Sequence, residues 1–533
     1  MNNADLIVAT LKSAGIRHGF GIPSGNVIPL MESMRTGGID FVLTAHEGTA
    51  GFAADVSARV SGRPGFAVAT LGPGATNLAT GVGNAYLDRS PMIAITCNLH
   101  TPQLGRRIQM YIDHHALFAP ITKGSFRLEH GAIGETLARA LQLAMTEPCG
   151  PVHLDLPEDV ALQPTTESVP VIPAPIPLPA PAGTSIDLAH DLIAKAKRPL
   201  AIIGANAMRM EGTERLAKFV EHYRIPFATT TMAKGLIDEA HALSVGCIER
   251  ALRQMQRRFF QRADLVIGMG YDTIEVEYEA WLGDRRLVHI DIESADVDAS
   301  VNVVSEVLGD VGQSLDALIA MPPGDSTWTD RDVADYRAEY QTTLRPAAAT
   351  FSPHQAIDVV REVLPDDGVL AFDVGAHTHQ IAGQWRTPKP RSFLITNGWS
   401  SMGFALPAAI AAKLAEPERP VVCVLGDGCF QMTCGELATA KRMGLNVPVV
   451  VLDDRWLGLI KVKQERRQIT HYGTELQREP YGEPPAHYFG VPAVGARDAN
   501  ALRAALIDAF ARSGPSVIEA VVDAEQYSHT VFD

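Results

Sequence analysis

The chain has 533 residues and a formal net charge of −15, with 46% apolar and 20% charged residues. That length suits two to four domains, and the acidic balance excludes a nucleic-acid partner, whose phosphates demand basic patches. The sequence contains no apolar run of the roughly 18 residues that a membrane span needs, so no membrane-spanning helix is expected.

Residues 1–16 read as an amphipathic helix of the mature fold, without the basic region and cleavage site of a signal peptide. Cys97, Cys149, Cys247, Cys423, Cys429 and Cys434 include no C-x-x-C pair. They are expected to be free thiols of a reducing compartment, and the chain is expected in the cytoplasm. In residues 1–165 the runs FAVATL (66–71), MIAITC (92–97) and VHLDLP (152–157) are short and β-rich, with helical stretches such as GFAADVSARVSG between them. The segment VPVIPAPIPLPAPAG (169–183) has a proline at every second or third position. It can be neither helix interior nor central strand, so residues 166–183 are predicted to be an extended linker.

Residues 184–325 repeat the plan with LAIIGA (200–205), LVIGMG (265–270) and LVHIDI (287–292). IIGANAMR after the first of these lacks G-x-G-x-x-G, which argues against NAD. Residues 326–350, including a polar helix, are predicted to connect to a third block, 351–533, with VLAFDVG (369–375), VVCVLGDG (421–428) and PVVVLDD (448–454). Uniformly apolar short strands with helical crossovers predict an α/β protein of three doubly wound parallel-sheet domains. Ligands of such sheets bind off the carboxyl ends of the strands.

The chemistry-bearing residues stand at those ends. Gly426-Asp427-Gly428 follows the strand VVCVL and opens a helix, CFQMTCGELATAKRMG. Two glycines let backbone amides approach a phosphate, and the helix dipole favours the anion. The next strand, PVVVL, ends in Asp453-Asp454, and Asp454 lies 454 − 427 = 27 residues beyond Asp427. Two oxygen ligands at neighbouring strand ends suit magnesium, which keeps few protein ligands and takes phosphate oxygens besides.

This spacing resembles the thiamine diphosphate motif, and all three blocks resemble acetolactate synthase and its relatives, including benzaldehyde lyase. HEGTAGFAADVSARVSGRPGFAVATLGPGATNLATG is similar to the family's pyrimidine-binding domain, and NGWSSMGFALPAAIAA to the stretch before its diphosphate motif. ADLVIGMGYDTIEVEY resembles the flavin-free branch, so FAD is not expected. The resemblance implies a pyrimidine-binding, a central and a diphosphate-binding domain, with thiamine diphosphate and Mg2+ as cofactors. It also implies active sites between the chains of a homodimer or homotetramer.

Carried over position by position, Glu47 is the carboxylate that hydrogen-bonds the aminopyrimidine, a general acid–base role. Thr70, Pro73 and Asn77 are expected near the pyrimidine, and the carbonyl of Ser400 is expected to accept from its amine. Met402, 427 − 402 = 25 residues before Asp427, is expected to bend the cofactor. His377, Gly428 and Cys429 belong with the diphosphate, and His379 reads as a neighbouring surface or pocket residue. Asp427, Asp454 and the Trp456 carbonyl make the metal shell. Gln109 resembles a polar residue that the family places near the substrate, whereas His114 and His115 read as structural.

Three departures stand out. Asp454 replaces the family's usual asparagine. Lys463 replaces a tryptophan that favours 2-oxobutyrate in biosynthetic relatives. It is either a grip for a substrate carboxylate or phosphate, or a lysine reaching to solvent. Gly25-Asn26 stands where benzaldehyde lyase and benzoylformate decarboxylase place catalytic His or Ser. The expected reaction is decarboxylation of a pyruvate-like 2-oxo acid and ligation to a second carbonyl compound. The alternatives are a 2-oxo acid decarboxylase, a 2-hydroxyacyl-CoA or hydroxyketone lyase, and, in another class, a non-catalytic regulatory subunit.

Overall fold

The computed structural model describes residues 1–477 and 482–531. The described strands form three sheets. In the first, the strands lie in the order Asp40–Leu43, His18–Gly21, Gly65–Thr70, Met92–Asn98, Pro151–Pro157, Gly124–Arg127, all parallel. The second runs Asn302–Leu308, Arg286–Asp291, Leu265–Met269, Pro199–Ile203, Phe227–Thr229, Ser244–Cys247, again parallel. The third runs Phe393–Leu394, Val369–Phe372, Val421–Gly426, Pro448–Asp453, Ser516–Val521, Val491–Ala496, His487–Tyr488, and only its last pair is antiparallel. The parallel strands predicted in each block are present, and helices cover the sheets.

The first and third domains share one apolar core, in which Phe52 meets Phe404 edge to face at 5.7 Å between ring centres. The helix Glu47–Ser61 carries that contact. His46 caps it by accepting the Gly48 N–H at 3.0 Å, and Gly62, at φ +68°, ends it. Its neighbour Pro73–Leu87 approaches so closely at Gly51 and Gly81 that a Cβ on Gly51 would lie 2.7 Å from Gly81 Cα. Both positions therefore require glycine.

Residues 166–182 run without regular structure, as the prolines dictate. The span 326–350 is more than a spacer. Thr329 and Asp332 cap the helix Asp330–Thr343, and Trp328, Tyr336 and Tyr340 are buried against Phe259 and the rest of the central core. Aromatic burial, hidden among charged neighbours in the sequence, thus assigns this helix to the central domain.

Two buried ion pairs fasten the central domain to the third. Lys234, 2% exposed, donates to Glu239 and to the Ala382 carbonyl, and Glu239 accepts the Thr387 N–H at 2.8 Å. His379 bonds Glu249 at 2.7 Å. Breaking a buried pair from one side leaves a charge uncompensated. Lys234→Met is therefore expected to destabilise the protein by about 3 kcal/mol, read as a fall in the denaturant midpoint with unchanged slope. All six cysteines are free. Among the described residues no helix is long and apolar enough to cross a membrane.

Candidate active site

The carboxyl ends of Val421–Gly426 and Pro448–Asp453, paired neighbours in the third sheet, bring Asp427, Asp453 and Asp454 together. Asp427 opens the helix Asp427–Thr433 and accepts the Gly428 N–H and the Arg455 N–H, each at 2.8 Å. Asp454 accepts the Trp456 N–H at 2.8 Å. Arg455 between them is held at φ +65°, a strained conformation for a long side chain. Burial, then repulsion by Asp454 and Asp453, raises the Asp427 carboxyl far above the usual carboxylate range. Burial raises Asp454 likewise, opposed in part by the Trp456 N–H. A cation between these oxygens would relieve that cost.

Trp456 pairs with Glu475 through the flanking groups, the Leu457 N–H to Thr474 and the Leu476 N–H to Arg455, so its own carbonyl lies outside the pairing. Among the described residues no three His, Cys, Asp or Glu side chains enclose a metal by themselves. That fits an ion held by two carboxylates and a carbonyl that completes its shell with phosphate oxygens.

Beside this pair lies a cradle. A Cβ on Gly375 would fall 2.7 Å from the His377 ring, and one on Gly426 3.2 Å from it. His377 is buried, and its Nε2 has no hydrogen-bond partner. Burial, and then the neighbouring His379, lower its pKa to about 4. A buried nitrogen without a partner between two glycines at strand ends fits a phosphate-bearing ligand. Cys429 is less suited to that role, because its thiol donates to the Val374 carbonyl at 3.2 Å. His379 is not a surface residue. It is buried in the ion pair with Glu249, which burial of both partners favours over exposure.

Met402 stands over Gly428, where an added Cβ would lie 3.3 Å from the Met402 Cε. Ser400, two residues before, is held at φ +50°. In the first domain Glu47 is 8% exposed, and its Oε2 accepts from Asn77 Nδ2 at 3.0 Å. Asn77 belongs to the helix that Pro73 begins. Thr70 donates to Asn26 Oδ1 at 2.8 Å, and Asn26 in turn donates to the Cys97 carbonyl at 2.8 Å. Gln109 is exposed, and its neighbour Met110, at φ +65°, has its backbone packed against Gly72. His114 is buried, bonded to Thr96 at 2.9 Å and within 3.4 Å of Asp155, and accepts the Gly72 N–H at 3.4 Å. Lys463 lies, partly buried, on the helix Gly458–Arg466 that follows the metal-site turn.

Several residues of this neighbourhood carry no signal in a single sequence. Glu436 accepts the Ala45 N–H at 2.8 Å and the Thr49 hydroxyl, tying the start of the Glu47 helix to the third domain. Asn26 fixes Thr70 although it offers no acid–base group. Among the described residues no hydrogen bond joins the Glu47 cluster to Ser400, Met402 or Asp427.

Comparison with known proteins agrees with this arrangement. Residues 1–117, 186–318 and 373–520 match the N-terminal TPP binding domain, the central domain and the C-terminal TPP binding domain of the thiamine pyrophosphate enzymes. A probable acetolactate synthase large subunit from Methanococcus aeolicus is 31% identical over 98% of this chain and 92% of its own length. The acetolactate synthase isozyme 1 large subunit of Escherichia coli is 30% identical over 98% and 94%. The acetolactate synthase large subunit of Parasynechococcus marenigrum is 32% identical over 96% and 86%. With all three domains present in order and relatives matched over nearly its whole length, the chain belongs to the thiamine pyrophosphate enzymes of the acetolactate synthase type.

Proposed function

We propose that the protein decarboxylates a pyruvate-like 2-oxo acid and joins the remaining two-carbon unit to a second carbonyl compound. The observation that carries this reading is the pair of half-sites: a carboxyl at Glu47 held by Asn77, and a glycine-lined turn with Asp427, Asp454 and the partnerless nitrogen of His377. Thiamine diphosphate, when bound, supplies the electron sink for breaking and forming the bond next to the carbonyl. Glu47 holds the proton on the aminopyrimidine ring, and Met402 and the Ser400 carbonyl set the ring's position. Asp427, Asp454 and the Trp456 carbonyl would hold Mg2+, which the crowded carboxylates call for, while His377 and the turn at Gly428 and Cys429 would hold the diphosphate. Gln109 and Lys463 lie on the substrate side.

The active unit is a homodimer or a pair of them, in which Glu47 of one chain faces the turn of another. The separation of the half-sites in one chain supports this. So does the exposure of Trp399, Met110, Met432 and Ile460 around them, apolar side chains that a second copy would cover. The six free thiols suit a reducing cytoplasm. FAD has no part in this reading. At the central strand ends Asn206 bonds Asp291 at 3.1 Å, and a Cβ on Gly204 would collide with the Tyr271 backbone.

Product analysis tests the reaction. Protein supplied with thiamine diphosphate, Mg2+ and pyruvate is expected to form acetolactate, followed by NMR. Acetaldehyde as the only product would make the enzyme a decarboxylase, and absence of pyruvate turnover would require a different donor.

A further inference from the structure

Residues 395–400 link the strand Phe393–Leu394 to the Met402 turn and the helix Ala405–Ala415, and their course is fixed from outside their own domain. From the first domain, Arg59 donates to the Ile395 carbonyl at 2.6 Å, and Asn84 bonds the Thr396 hydroxyl. Asp88, 6% exposed, accepts the Gly398 N–H at 2.8 Å and the Asn397 N–H at 3.3 Å. From the central domain comes a single carboxylate, Glu275. Its Oε2 accepts from Asn397 Nδ2 at 2.9 Å and from the Met232 N–H at 3.0 Å, and its Oε1 accepts the Thr230 hydroxyl at 2.7 Å. Asn397 is the joint. Its backbone is held by Asp88, its amide by Glu275, and its carbonyl accepts the Ser400 hydroxyl at 2.6 Å. Ser400 itself stands at φ +50°.

We propose that Glu275 is a positioning residue for cofactor binding: by gripping Asn397 from the central domain, it holds the Ser400 turn in the one shape that presents the Ser400 carbonyl and Met402 to the cofactor's pyrimidine end. This rests on the cofactor reading given above. A left-handed serine persists only where its surroundings over-determine it. Without Glu275, the peptide whose carbonyl holds the Ser400 hydroxyl would be anchored by Asp88 of the first domain alone, with the Asn397 side chain released. Docking of the central domain does not need Glu275, because the bonds from Lys234 to the Ala382 carbonyl and from the Thr387 N–H to Glu239, with the pair His379–Glu249, already span that boundary. The carboxylate is placed where it serves the turn.

The test compares full-length wild type, Glu275→Ala, Glu275→Gln and Asn397→Ala. The readouts are equilibrium binding of thiamine diphosphate with Mg2+, followed by titration calorimetry, and melting temperature. Glu275→Ala and Asn397→Ala are expected to weaken cofactor binding about ten- to a hundredfold, as loss of an orienting partner does elsewhere. Turnover should recover at saturating cofactor. Glu275→Gln is expected to bind within about threefold of wild type. Its amide oxygen keeps the Met232 and Asn397 donors, and the Thr230 hydroxyl turns to accept from the new amide. The double variant should be no weaker than either alanine variant alone. Wild-type affinity in Glu275→Ala, or a glutamine variant as weak as alanine, would overturn the proposal. If Glu275→Ala does not fold, Asn397→Ala reads the same link from its other side. A wild type that binds no thiamine diphosphate would instead overturn the cofactor reading.

Discussion

Glu47→Gln is expected to lower turnover of a 2-oxo acid by about 10²–10⁴-fold, the range for loss of a positioned acid–base group, at saturating cofactor. Stability and cofactor affinity should change little. The carboxyl is 8% exposed and tied to Asn77 at 3.0 Å. Glutamine is nearly isosteric, and the Asn77 amide can turn to meet either of its ends. The substitution also removes a negative charge from a helix N-terminus, which costs about 0.3–1 kcal/mol and no more than a few degrees of melting temperature. The expected pattern is therefore a collapsed kcat with a native melting curve, measured by initial rates beside differential scanning fluorimetry. A variant within tenfold of wild-type turnover would mean that another group holds the proton on the ring.

The central strands of all three sheets were legible because their residues are apolar on both faces, and the linker because proline forbids its alternatives. Edge strands were not. Asp40–Leu43 buries only Val42, Gly124–Arg127 is half-buried throughout, and Phe393–Leu394 is two residues long. Such strands owe their place to neighbours distant in sequence rather than to their own pattern. The helix Asp330–Thr343 reads as polar because eight of its fourteen residues are exposed, and only packing reveals what Tyr336 and Tyr340 do.

Within the candidate site the same division holds. Asp427, Asp454, Glu47 and Met402 were found through motifs that fix them by spacing. The groups that hold the segments around them reach across the chain: Asn26 to Thr70, Glu275 to Asn397, Asp88 to Gly398 and Glu436 to Ala45, over 44 to 391 positions of sequence. No local spacing encodes such a link. His379 shows the converse: beside a motif it reads as a surface or pocket residue, while its partner Glu249 lies in another domain.

The metal turn carries a cost that sequence alone does not show, and it predicts an enzyme that gains stability as it loses function. The folded-state pKa of Asp454 is raised to about 7 and that of Asp427 to about 9, both from an ordinary 3.8. A carboxyl raised on folding contributes stability that is fully present below its unfolded value and lost as pH rises through its folded value. The cation-free protein should therefore melt at falling temperature between about pH 4 and pH 9, and Mg2+ with thiamine diphosphate should reverse the fall. Asp427→Asn removes one charge of the cluster. It also leaves either the Gly428 or the Arg455 N–H without its acceptor, at about 1 kcal/mol. Below about pH 4, where the carboxyls are protonated in the folded and the unfolded chain alike, only that loss remains and the variant should be slightly less stable. Near pH 9 relief of repulsion should prevail, and the metal-free variant should melt roughly 5 °C above metal-free wild type. At the same time its hold on Mg2+ and cofactor should weaken by at least about a hundredfold, since even residues behind a metal's ligands cost ten- to a hundredfold. Thermal melts across pH with and without the cation, beside cofactor titrations, check both halves. A metal-free variant less stable than wild type at pH 9 would show that Asp427 is held for structure. The expected crossover instead marks a turn whose crowded charges are tolerated for the cation they attract.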